Sequence, residues 1–206
     1  MNQEDFASVL KLVSIITFRY TVIGKLHTNL KEDIYNKAAN GISNNELTTV
    51  SQIANSLINL YPSDNDFKND FASKSISTKR GKKIVRYILF SIENHLSQSD
   101  YPYEDTPGTI EHILPENGNE NYLDEFPQSI HESLVYRLGN YTILEDDKNR
   151  ACEALPFEEK KEIFRTSQYA ITTEITSSNW TPNSIDRRQD KLAKYASSIW
   201  RISQFD

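Results

Sequence analysis

The sequence predicts an α+β fold, mainly helical, in which a helical N-terminal half is followed by a strand–strand–helix motif embedded in further helices. Three observations carry this expectation. Apolar residues recur at three- and four-residue spacing through the first hundred positions, which is the period of a helix with one buried face. Two short β-prone runs, at 109–113 and 140–144, break that period. Between Ser97 and Pro107 the composition shifts to SQSDYPYEDTP, where prolines and small polar residues mark a linker or domain boundary.

Each element has its own local reason. Over 4–23, Phe6, Val9, Leu10, Val13, Ile16 and Tyr20 form one stripe, with Gly24 as its stop. A second helix is expected from about Leu30 to Ala39, ended by Asn40 and Gly41, and a third from about Glu46 to Leu60, ended before Pro62. The segment 78–97 sets Ile84, Tyr87, Ile88 and Ile92 on one side and carries a basic first half. After the linker come the first β-prone run, a long irregular loop, the run NYTIL and helix-like sequence. At the far end Thr181 and Pro182 are an N-cap and first-turn pair for a helix that packs through Ile185, Leu192, Tyr195, Ala196 and Ile199.

Composition narrows the functional classes. With 206 residues, 37% apolar content, 11 Tyr and 9 Phe, the chain can fill a core of its own. No apolar run reaches the roughly 18 residues that span a bilayer, and MNQEDFASVLKLV places acids where a signal peptide carries positive charge. The expectation is a cytoplasmic protein with no membrane partner. One cysteine, Cys152, excludes an internal disulfide and a cysteine-based zinc site, and reads as a small apolar residue. A net charge of −6 argues mildly against a general nucleic-acid binder. Its distribution is uneven, with basic clusters at Lys79, Arg80, Lys82, Lys83 and Arg86 and at Arg187, Arg188, Lys191 and Lys194. Each could equally be a solvated helix face.

Three polar spots in the second half stand out together: Glu111 and His112 in EHILP, Asn140 in LGNYTIL, and Asn149 in DDKNRA. Their spacing suits a strand, a loop, a return strand and the start of a helix folding back onto one site. This set resembles the ββα-metal, or HNH-like, nucleases in an H-N-N form. More narrowly, EHILP, LGNYTIL, NRACEALPFEEKKEIF, Ser167, Trp180 and the closing helix with Arg187 and Trp200 look like the C-terminal nuclease domain of GmrSD-type restriction systems. The resemblance covers about 107–201, and ITFRYTVIGKL is similar, more weakly, to the spacer before it. It implies a helical spacer region over 1–98 and an HNH-like nuclease domain over 107–206. It also implies DNA as substrate and a partner, an N-terminal nucleotide-hydrolysing and target-sensing domain or subunit not present in this chain.

The residue types fit phosphodiester hydrolysis. A base must take a proton from water, and a histidine with a reference pKa near ~6.5 is available in its neutral form at physiological pH. His112 is that candidate. A divalent metal, Mg or Mn, offsets charge on the phosphate and takes oxygen ligands, which Glu111 and Asn149 would supply. Asn140 would orient the His112 imidazole and fix its tautomer. Lys160 and Lys161 follow Asn149 by about three helical turns, near enough to contact substrate phosphates; an exposed EEKKE surface is the competing reading, more so for Lys161. Adjacent strand residues face opposite ways, so Glu111 and His112 meet one site only if the strand ends there, as Pro115 and Gly118 suggest.

Phe157, Trp180 and Trp200 are expected in the core, and His27, His95 and His131 have no partner pattern. Glu116 stands where the narrower family usually has glutamine, adding negative charge beside a phosphate site. The leading function is a metal-dependent DNA endonuclease module, the effector of a bacterial anti-phage restriction system, modification-dependent or not. The alternative is a catalytically silent HNH-like DNA-binding or protein-interaction module. A third reading, a helical scaffold, requires His112 and Asn149 to lie far apart.

Overall fold

The computed structural model describes residues 2–24, 28–117, 120–153 and 155–205; His27 and Gly118 lie outside the described residues. The chain divides into two compact units, Met1–Phe71 with Trp200–Asp206, and Ala72–Ile199.

In the first unit, helix α1 (Gln3–Thr17) is capped by Asn2, whose side chain accepts from the Asp5 amide, and Glu4 and Asp5 complement the positive end of its dipole. It buries Leu12, Ile15 and Ile16 and continues as a π-helical turn over Phe18–Ile23, ending at Gly24. The fully buried Arg19 on that turn donates to the Trp200 carbonyl at 2.6 Å and the Pro62 carbonyl at 3.0 Å, and pairs with Asp64. Its guanidinium lies 4.3 Å from the Tyr61 ring centre, while Phe18 stacks on Trp200 at 4.0 Å. Contrary to the expectation of no span-length apolar run, the helix Gln3–Ile23 contains an 18-residue window of mean hydropathy 1.6, long and apolar enough to cross a bilayer. The core helix of a soluble protein passes the same test, and 39% of this window is buried in the protein itself.

Helix α2 (Thr28–Ser43) runs through Asn40 and Gly41, where the sequence pattern ends it. The stop comes at Asn45, which takes the left-handed conformation with φ 59°, while the Glu46 and Leu47 amides return to the Gly41 carbonyl. Helix α3 (Val50–Ser56) opens with a reciprocal Thr49–Gln52 capping box, followed by a 3-10 turn at Ile58–Leu60. Helix α4 (Asp64–Ser73) buries Phe67 and Phe71.

In the second unit, α5 (Thr78–Ser97) buries Val85, Ile88, Leu89 and Ile92, whereas Ile84, expected on that face, is exposed. Gly81 interrupts the helix with non-helical angles after its first turn. The stretch after α5 lies inside the second unit. Arg86 holds the carbonyls of Tyr103, Thr106 and Gly108, and Asn94 brackets Tyr101 through its amide and carbonyl, so the segment is fastened along α5. Strands β1 (Thr109–His112) and β2 (Tyr141–Leu144) pair antiparallel, Thr109 opposite Leu144 and His112 opposite Tyr141. Between them lie helix α6 (Gln128–Leu134) and 3-10 turns at Glu120–Tyr122 and Leu138–Asn140. Helices α7 (Asp146–Cys152), α8 (Phe157–Arg165), the short α9 (Ala170–Thr173) and α10 (Pro182–Ile199) complete the unit.

Ile113, Leu114, Leu144, Cys152, Phe157, Phe164, Trp180 and Ile185 form its core. Cys152 is fully buried, and burial pushes its thiol up to about 12, in keeping with an inert apolar residue. Helix α10 crosses the Leu138–Asn140 turn so closely that a Cβ on Gly139 would lie 2.3 Å from the Ile185 carbonyl oxygen. Only glycine fits the LGN turn at this position.

Candidate active site

Strand β1, the turns that follow it and helix α7 line a cavity of about 790 Å³. Its lining comes from β1 and the following turn, Glu111, His112, Pro115, Glu116 and Asn117, from Glu120 and Asn121, and from α7 and its end, Asn149, Arg150 and Glu153. Glu111 and His112 both reach this cavity although they are neighbours, because β1 ends at His112 and the chain bends at Ile113 and Leu114. His112 and Asn149 therefore line the same cavity, whereas the helical-scaffold reading requires them to lie far apart.

The His112 ring is half-buried, edge-on to Tyr141 at 4.8 Å and Tyr136 at 6.3 Å, with Nε2 3.4 Å from the Thr78 hydroxyl. Burial lowers its pKa to about 4; Glu116 opposes the shift and Lys160 adds to it. The imidazole is thus neutral at pH 7 and able to take a proton.

Glu111 is buried, and its Oε1 accepts from Lys160 Nζ at 2.6 Å. Burial raises the carboxyl above its usual range and the Lys160 ammonium pulls it back. Asn149 donates its Nδ2 to Thr109 Oγ1 at 2.6 Å and to the Ile110 carbonyl at 3.1 Å. That orientation leaves its side-chain oxygen as the uncommitted end. Glu116 accepts from the Tyr136 hydroxyl at 2.7 Å and pairs with Lys79 at 3.2 Å, and the Tyr136 bond is foremost in holding its carboxyl below the usual range.

A family model for the C-terminal domain of GmrSD restriction endonucleases matches residues 61–195, more than half of the chain. The chain belongs to this family. No curated protein matches it. The matched region contains the whole cavity lining, so this GmrSD-type domain is a restriction endonuclease module whose substrate is DNA.

Two sequence-predicted roles change in this GmrSD-type domain. Asn140 does not reach the His112 ring. It is fully buried, its Oδ1 accepts from the Leu114 amide at 2.7 Å and Trp180 Nε1 at 3.1 Å, and its Nδ2 donates to the carbonyls of Leu114 at 2.9 Å and Val135 at 3.0 Å. With every donor and acceptor engaged, Asn140 clamps the turn that follows His112 rather than the imidazole. Lys160 was expected to touch DNA phosphates, yet it has no exposed surface and binds Glu111 and the carbonyls of His112 at 3.0 Å and Ile113 at 3.3 Å. Burial removes it from any phosphate. Lys161 pairs with Glu158 at 2.6 Å and does not line the cavity.

Residues that pattern reading missed hold the site in place. Thr78 and Tyr141 flank His112, and His131 Nε2 lies 2.9 Å from the Pro115 carbonyl, pinning the turn. Arg188 spends its guanidinium on the carbonyls of Gly139, Tyr141 and Ile171, and burial lowers its pKa to about 10. Of these only Tyr141 adjoins a motif residue in the sequence.

Among the described residues, no three His, Cys, Asp or Glu side chains are gathered to hold a metal by themselves. A donor set of another kind is present: the Glu111 carboxylate and the Asn149 amide oxygen, beside a cavity open to water and phosphate. That set suits a hard divalent cation such as Mg²⁺, which keeps several waters and takes one or two protein oxygens.

Proposed function

We propose that this chain is a metal-dependent, HNH-type DNA endonuclease module, the effector of a bacterial anti-phage restriction system working in the cytoplasm. The observation that carries the reading is a neutral His112 sharing one cavity with Glu111 and Asn149 in a GmrSD-type domain. Target sensing would belong to an N-terminal nucleotide-hydrolysing domain or subunit.

A Mg²⁺ or Mn²⁺ ion, when bound, supplies Lewis-acid stabilisation of the charge that builds on the phosphate and the departing oxygen. Glu111 and Asn149 would hold it. His112 takes the proton from the attacking water, its ring kept in place by Thr78, Tyr136 and Tyr141. Asn140 keeps the turn beyond His112 fixed through Leu114, so the base meets substrate from a rigid edge. Glu116 and Tyr136 stand at the mouth, where they limit which phosphates approach.

One observation favours the silent-module alternative: Glu111 is already neutralised by Lys160, which competes with any metal for its carboxylate. Two measurements separate the readings. Plasmid DNA incubated with the intact parent protein, its proper target and Mg²⁺ or Mn²⁺ should be nicked, and His112→Ala should abolish nicking. Titration calorimetry should detect metal binding that weakens in Glu111→Gln. DNA binding with neither metal binding nor nicking would select the silent module.

A further inference from the structure

The cavity poses an electrostatic problem for a polyanion. Four of its lining residues are glutamates, 111, 116, 120 and 153, and the chain is acidic overall. The cations nearest the motif are already committed. Lys160 pairs with Glu111, Arg150 with Asp146, and Lys148 with Glu145. Half of the α10 cluster is spent as well, Arg188 on three backbone carbonyls and Lys191 on Glu174.

The start of α5 is different. It reaches the cavity mouth through Thr78, 3.4 Å from His112, and through Lys79, 3.2 Å from Glu116. Beyond Lys79, which is 70% exposed, follow Arg80, Lys82 and Lys83, all exposed and, among the described residues, in no ion pair.

We infer that the first turns of α5, Lys79, Arg80, Lys82 and Lys83, hold the phosphate backbone of the DNA strand presented to the cavity. The identity of the polymer rests on the nuclease reading; the surface itself rests on exposure, charge and position. Long cationic side chains on one helix edge contact backbone without reading bases, as a module that leaves target choice to another part requires. Lys79 is the junction between this edge and the cavity. Glu116 occupies it, and a phosphate must displace that carboxylate to reach His112.

The test is anisotropy of a labelled duplex bound to the full chain in EDTA, where no strand is cut, over roughly 50 to 200 mM salt. The variant Arg80→Ala/Lys82→Ala/Lys83→Ala should bind at least tenfold more weakly, with a salt slope smaller by about 2 to 3 and an unchanged melting temperature. Glu116→Gln should bind a few-fold more tightly. Unaltered affinity and slope in the triple variant overturn the inference, as does a wild type that does not bind DNA. So does a loss confined to Arg187→Ala/Lys194→Ala on α10. Plasmid nicking separates this from the reading above it. A protein that nicks while the triple variant binds unaltered keeps the nuclease and loses the surface, and one that binds through α5 without ever nicking keeps the surface and loses the nuclease.

Discussion

Two carboxylate–lysine pairs border the same cavity. Glu111 and Lys160 meet at 2.6 Å with side chains 7% and 1% exposed, whereas Glu116 and Lys79 meet at 3.2 Å with 33% and 70% exposed. Residue types are identical, so the difference lies in solvent. A buried pair has given up its hydration, and removing one partner strands the other charge. An exposed pair keeps its water, is screened by salt and exchanges partners readily. The inner pair is therefore part of the scaffold, and the outer pair is free to answer to a ligand.

The sharpest way to break this comparison is Lys160→Met. Glu111 is left buried without its cation, and unfolding in denaturant should show a loss of about 3 to 5 kcal/mol. Adding Glu111→Gln should recover part of that loss; a single substitution costing under about 1 kcal/mol would mean that the inner pair is no more structural than the outer one. Asn140→Ala comes next. It strands the Leu114 amide and carbonyl, the Val135 carbonyl and Trp180 Nε1 together, and should cost roughly 3 kcal/mol.

His112→Ala sits between the pairs and should separate activity from stability. Nicking should fall about a hundredfold or more, equivalent to roughly 2.7 kcal/mol of barrier, with a smaller change in unfolding free energy. In the wild type a lowered pKa means that the base stays unprotonated from neutral pH down to about 4. The acid limb of the rate profile should therefore fall towards that value, and a limb centred near ~6.5 would place His112 in water. The smallest effect belongs to the outer pair. Glu116→Gln should shift the melting temperature by less than about 2 °C while tightening DNA binding, and a large drop in melting temperature would erase the contrast.

The sequence revealed elements more readily than partnerships. The α10 start was legible from the Thr181–Pro182 pair and the α5 span from its apolar period, although Ile84 falls outside the buried face. The two strands were legible from short β-prone runs next to turn residues. Asn140 and Lys160 were located but given the wrong tasks. A lysine in EEKKE looks solvated until tertiary packing brings a buried glutamate against it, and an asparagine at a strand start carries no mark of whether it meets a ring or a backbone. The fastening of the 97–107 stretch was hidden for a related reason. Its prolines and polar residues describe a chain without regular structure, whereas Arg86 and Asn94 supply the fastening from a distance. The capping at Asn45 was hidden because the Asn40–Gly41 pair offers an equally good stop signal five residues earlier.

The buried Arg19 has a consequence for the order of synthesis. Its acceptors include the Trp200 carbonyl, and Phe18 stacks on the Trp200 ring, so the first unit is assembled from both ends of the described sequence. On the ribosome every residue of the second unit emerges before Trp200 does. The cavity-bearing unit can thus mature while the helix around Arg19 still waits for its last partner. Truncation before Trp200 should leave the second unit resistant to protease and the first one open to it.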